Sequence, residues 1–64
     1  MIHLRDELLT TAEVLEILVV SRDTFDKWRA ARKAPPAYRL PNGKLRFRRT
    51  DVETWLQELP DRMN

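Results

Sequence analysis

With 64 residues the chain has room for one small domain, which buries only about 60% of the surface its unfolded form exposes. It has no cysteine and a single histidine, His3, so disulfide staples, a thiolate zinc centre and a histidine metal cluster are excluded and packing must hold the fold. The net charge is only +2, but from Lys27 to Arg49 there are nine basic residues and no acidic one, so a polyanion should meet the middle of the chain.

The first element is announced by Thr10 and Glu13, a capping-box spacing that starts a helix at Thr11 and carries it to about Leu18. Ala12, Val14, Leu15, Ile17 and Leu18 cover one broad side of it, as expected of a helix packed by more than one neighbour. Val19-Val20 then leaves the helix, and Ser21 supplies the side-chain acceptor that caps a second helix over Arg22 to about Arg32. Asp23 sits near the positive end of that helix dipole. Thr24, Phe25, Trp28 and Ala31 fall on one side, to pack, while Arg22, Asp23, Asp26, Lys27 and Ala30 fall on the other.

Pro35-Pro36 ends helical structure, and the chain then alternates through Tyr38-Arg39-Leu40, the loop Pro41 to Lys44, and Leu45-Arg46-Phe47. Asn42-Gly43 between alternating runs signals a hairpin. A two-residue turn and a four-residue loop both pair Leu40 with Leu45, Arg39 with Arg46 and Tyr38 with Phe47, giving one apolar face and one guanidinium face. Thr50 and Glu53 repeat the capping-box spacing, and Val52, Trp55, Leu56 and Leu59 make a narrow stripe on a last helix before Pro60. One domain over residues 1–64 is expected, with its core in 8–59 and flexible ends at 1–7 and 60–64.

Helix, tight turn, helix, hairpin and helix make a mainly α fold with a small β-hairpin, the winged helix-turn-helix. LLTTAEVLEIL, VSRDTFDKW and KLRFRRTDVETWL resemble the small excisionase and MerR-like DNA-binding domains of bacteria and their phages, over Leu8 to Leu59. VSRDTFDKW is similar to that family's capped recognition helix and RFRRTDVETWL to its strand-to-last-helix junction. Val19-Val20 departs from the glycine usual before the valine in such turns; a left-handed Val19 would be strained, which implies a turn of a different shape or greater length. With no long dimerisation helix or effector domain in this sequence, the resemblance leans toward the excisionases, which direct a site-specific recombinase (integrase) toward excision.

On this reading double-stranded DNA is the partner, with helix 22–32 in the major groove and wing 38–47 on the minor groove or the phosphates. Arg22 and Lys27 are the candidates for guanine O6 and N7. Asp23 and Asp26 either accept from cytosine N4 or pair with Lys27 and Arg22 four residues away and aim them. Thr24 is within reach of a phosphate from the first turn, or serves packing. Arg39, Lys44 and Arg46 belong to the wing, with Arg48 and Arg49 adding backbone contacts. Phe25, Trp28, Phe47 and Trp55 fall on packed faces, as core rather than as a base-stacking platform, and Tyr38 is marginal.

The resemblance further implies a recombinase partner and cooperative self-association on DNA, and a small transcription regulator on promoter DNA is the alternative function. No nucleophile system is evident, so a non-enzymatic protein without cofactor or metal is expected. The longest apolar run, Ile17 to Val20, is far short of a membrane span and no signal pattern opens the chain, so a cytoplasmic protein in a bacterial host is expected.

Overall fold

A computed structural model describes residues 7–60 of the chain. The expectations for His3, for the rest of segment 1–6 and for 61–64 lie outside those residues. Six elements follow in chain order: β1 (Leu8–Leu9), α1 (Thr11–Leu18), α2 (Arg22–Ala30), β2 (Tyr38–Arg39), β3 (Leu45–Arg48) and α3 (Arg49–Gln57). The architecture is a winged helix-turn-helix, with three helices around a small antiparallel sheet of order β1-β3-β2.

Local chemistry starts the first two helices. Thr10 Oγ1 accepts from the Glu13 amide at 3.1 Å while Glu13 Oε1 accepts from the Thr10 amide at 2.8 Å, so the capping box is complete. Ser21 Oγ accepts from the Thr24 amide at 3.2 Å and caps α2. Between the helices Val19 is left-handed, φ 56 and ψ 51, and the Val20 amide donates back to the Leu15 carbonyl at 3.2 Å. The tight turn therefore keeps the geometry that glycine usually serves, and the expected change of shape or length does not occur; the strain is simply carried by a β-branched residue.

Helix α2 stops two residues before the expected end at Arg32. Arg32 is left-handed at φ 58, its amide donates to the Arg29 carbonyl at 3.1 Å, and the Lys33 amide donates to the Trp28 carbonyl at 2.8 Å. These two bonds close a Schellman motif with arginine at the position glycine favours.

The hairpin register is shifted by one residue from expectation: Tyr38 pairs with Arg46 and Arg39 with Leu45. The cause is the parity of the loop. The Leu40 amide donates to the Lys44 carbonyl and the Gly43 amide to the Leu40 carbonyl, both at 2.8 Å, leaving Pro41, Asn42 and Gly43 as a three-residue loop with Gly43 at φ 84. A turn followed by one left-handed glycine is a favoured hairpin connection, and an odd loop moves each side chain of β2 to the other face. Arg39 thus shares the face of Leu45 and Phe47, and Tyr38 shares the face of Arg46, so the expected segregation into an apolar face and a guanidinium face is not realised.

Helix α3 begins at Arg49, and Thr50 is not its cap. β3 runs directly into the helix, the Arg49 amide donates to the Glu7 carbonyl at 3.0 Å, and Asp51 in the first turn receives Arg48 Nη2 at 2.8 Å. The same region contains β1, which no alternation announced: Leu8 pairs with Arg48 and Leu9 with Phe47.

The buried core draws one residue from each element except β2: Leu9, Val14, Phe25, Phe47 and Val52. Phe25 and Phe47 meet edge to face with centroids 5.7 Å apart, joining α2 to the sheet. Trp28 and Trp55 are half-buried rather than core, and Trp55 Nε1 donates to the Lys33 carbonyl at 3.1 Å. Of the expected stripe, Val52 is buried and Leu56 exposed on α3, while Leu59 lies past the end of the helix at Gln57 and is exposed as well.

Candidate nucleic-acid interface

Fixing one side of α2 decides what the other side can do. Phe25 is buried and Thr24 and Trp28 half-buried, so Arg22, Asp23, Asp26, Lys27 and Ala30 are all left exposed on the outer side. The expected pairs Asp23 with Lys27 and Arg22 with Asp26 do not form; among the described residues the ion pairs lie elsewhere, at Arg48–Asp51 and Arg49–Glu7. Rotamer freedom keeps those exposed helix charges in water, where an i,i+4 pair is worth only about 0.3–0.5 kcal/mol. Thr24 Oγ1 accepts from Ser21 Oγ at 3.0 Å, so this hydroxyl helps to organise the start of the helix.

The wing is held by its own polar contacts. Arg39 Nη1 donates to the Gly43 carbonyl at 3.0 Å, Asn42 Oδ1 accepts from the Lys44 amide at 2.9 Å, and Arg46 Nη1 donates to the Leu45 carbonyl at 2.8 Å. All three acceptors are neutral, so the wing is ordered without its positive charge being cancelled. Arg48 and Arg49 differ: each is engaged by a carboxylate, Arg48 by Asp51 at 2.8 Å and Arg49 by Glu7 at 2.9 and 3.2 Å. The Arg49 hydrogen bonds, and then its charge, hold the Glu7 carboxyl below the usual range, and Glu7 raises Arg49 in return.

Between α2 and the wing lies a groove of about 550 Å³. Arg22 and Arg29 line it from α2, Arg39 and Gly43 to Arg46 from the wing, and Thr10, Thr11 and Ala12 from the start of α1. Five cations and no carboxylate therefore line one concavity, a charge arrangement that focuses a positive field on a polyanion. Of the candidate residues, Arg22, Arg39, Lys44 and Arg46 line this one groove, whereas Asp23, Thr24, Lys27 and Arg48 do not.

Arg29 is the cation that sequence reasoning passed over. Its signal was available, since it follows Arg22 by seven residues, two helical turns, and so projects from the same stripe. Asp26, by contrast, is turned about 60° further round the helix from Arg29 and does not line the groove.

A family model described as a helix-turn-helix domain matches residues 8–60. The chain belongs to the helix-turn-helix domain family. No curated protein and no solved structure matches it. Membership of that family supports DNA binding. Among the described residues no helix is long and apolar enough to cross a membrane, and no group of His, Cys, Asp or Glu is placed to hold a metal ion.

Proposed function

We propose that this helix-turn-helix protein is a non-enzymatic excisionase, a sequence-specific DNA-binding and DNA-bending factor that directs a site-specific recombinase toward excision. The observation that carries the DNA-binding part is the groove in which Arg22 and Arg29 face Arg39, Lys44 and Arg46 without an intervening carboxylate. Such a surface suits one sugar-phosphate strand, with α2 entering the major groove on one side and the wing following the backbone or the minor groove on the other. Arg22 and Lys27, exposed and outside any ion pair among the described residues, are the base-reading cations. The excisionase assignment is supported by the resemblance of VSRDTFDKW and RFRRTDVETWL to that family.

Bending a site of 20–30 base pairs costs about 1–6 kcal/mol of elastic energy, which contacts on both sides of a strand help to offset. A module this small reads few base pairs, so neighbouring copies and the recombinase supply the remaining specificity. The test is selection of bound duplexes from a random pool, followed by gel shift on the enriched sites. Tandem direct repeats, filled stepwise and cooperatively with increasing bend, are the expected result. Inverted repeats occupied in a single step would overturn the excisionase assignment in favour of a dimeric promoter-binding regulator, and a pool without enrichment would overturn sequence-specific binding.

A further inference from the structure

We infer that the DNA interface does not end at α2 and the wing: Arg29 and Arg32 extend it to a second backbone-phosphate contact at the exit of α2. This inference rests on the reading of the groove as a DNA surface. Its starting point is a second hollow, of about 260 Å³, lined by Arg29, Arg32, Ala34, Pro35 and Ala37. Arg29 lines this hollow and the main groove alike, so the two form one basic track that runs over the last turn of α2.

The conformation of Arg32 is the independent observation. It is left-handed at φ 58, at the Schellman position where glycine carries no Cβ penalty, yet an exposed arginine occupies it. No hydrogen bond or ion pair of its side chain within the described residues explains that choice. A strained cation at the rim of a basic hollow is what a phosphate contact calls for.

The hollow is also built to stay in place. Pro35 is buried, and Trp55 Nε1 fixes the Lys33 carbonyl at 3.1 Å, so the loop leaving α2 is tied to α3. Ala34, Pro35 and Ala37 are small enough for a sugar-phosphate chain to approach closely, and no carboxylate lines the hollow. Helix C-termini repel anions through unsatisfied carbonyls. Here the carbonyls of Lys27, Trp28 and Arg29 already accept from Ala31, Lys33 and Arg32, so less of that repulsion is directed at a phosphate.

The experiment compares the full chain with Arg29→Gln and Arg32→Gly, measuring affinity for an enriched and a scrambled duplex as salt is varied. Each variant should lose affinity equally on both duplexes and reduce the slope of log affinity against log salt by about 0.9, the contribution of one phosphate. The thermal midpoint of Arg32→Gly should not fall, because relief of the left-handed strain offsets loss of the cation at the helix end. Replacing single phosphates by neutral methylphosphonates should reveal a position that weakens the parent protein and leaves Arg32→Gly unaffected. An unchanged salt slope in Arg32→Gly, on a duplex the parent binds, overturns the second contact alone, whatever Arg29→Gln does, because Arg29 also lines the main groove. A parent protein that binds no duplex overturns the DNA reading and this inference together.

Discussion

The helix-turn-helix half of the molecule and its sheet half are held in different ways. In the first, bonds span three to five residues: Thr10 with Glu13, Ser21 with Thr24, Val20 with Leu15, Lys33 with Trp28. In the second they close long loops, as Leu9 pairs with Phe47, Glu7 with Arg49 and Trp55 with Lys33. A single local residue can therefore retune the helix-turn-helix half, whereas the sheet half, outside its short hairpin loop, yields only when a distant closure is broken. The two halves meet at the Phe25–Phe47 contact.

That meeting point gives the largest expected effect. Phe47→Ala removes a fully buried ring touching Phe25 and should cost about 3–5 kcal/mol, a large share of the stability of so small a domain. Urea denaturation followed by tryptophan fluorescence measures it. Loss of both halves in one transition is expected; a variant that retains the α1–α2 signals would show the helix-turn-helix half to be independent of the sheet.

Next comes the wing loop. A Cβ on Gly43 would meet nothing within 4 Å, so Gly43→Ala tests conformation alone, at φ 84. The expected cost is about 1–2 kcal/mol, concentrated in the hairpin, with faster amide exchange at Leu40 and Lys44. A wing unchanged in exchange would mean that glycine is not what holds the three-residue loop.

In the helix-turn-helix half the expected sign is reversed. Val19 is 86% exposed, so Val19→Gly gives up little burial while removing left-handed strain of about 1–2 kcal/mol. Glycine also loosens the unfolded chain, so the net gain should be about 0.5–1 kcal/mol, read as a raised urea midpoint. A lowered midpoint would show that the valine side chain is itself required.

The same contrast explains what was legible in the sequence. Thr10 with Glu13 and Ser21 with Thr24 were readable because each cap and its partner lie within one turn, and the outer side of α2 followed from periodicity. The register of the hairpin was not, because Pro41-Asn42-Gly43-Lys44 accommodates loops of either parity and only the three-dimensional closure selects the odd one. Thr50 with Glu53 misled for a related reason: the start of α3 is set by Glu7, 42 residues from Arg49, rather than by its neighbours. Four of the five cations of the groove were legible one by one, and Arg29 was not singled out. Which of them share one groove was not legible, since the one-residue shift puts Arg39 on the face of Leu45, and both line the groove with Arg29.

The smallest expected effect tests the clip that ties the strand β1 end of the chain to α3. Arg49 depresses the Glu7 carboxyl below its ordinary value, chiefly by hydrogen bonding and then by charge. A depressed carboxyl contributes stability that is fully present above its unfolded value, about 4.3, and is lost as pH falls through the lower folded value. Glu7→Gln should therefore be slightly less stable than the parent at neutral pH, with the difference closing below about pH 4.3 as the parent carboxylate takes up its proton. Arg49 remains charged throughout that window, so the titration belongs to Glu7 alone. Because both side chains are about half exposed, 46% and 53%, the difference should also shrink in high salt. Urea midpoints of the two proteins at pH 7 and pH 3, each at low and high salt, measure this closure directly. No gap even at pH 7 would mean that Glu7 holds α3 through its backbone carbonyl, which receives the Arg49 amide and which the substitution keeps, rather than through charge.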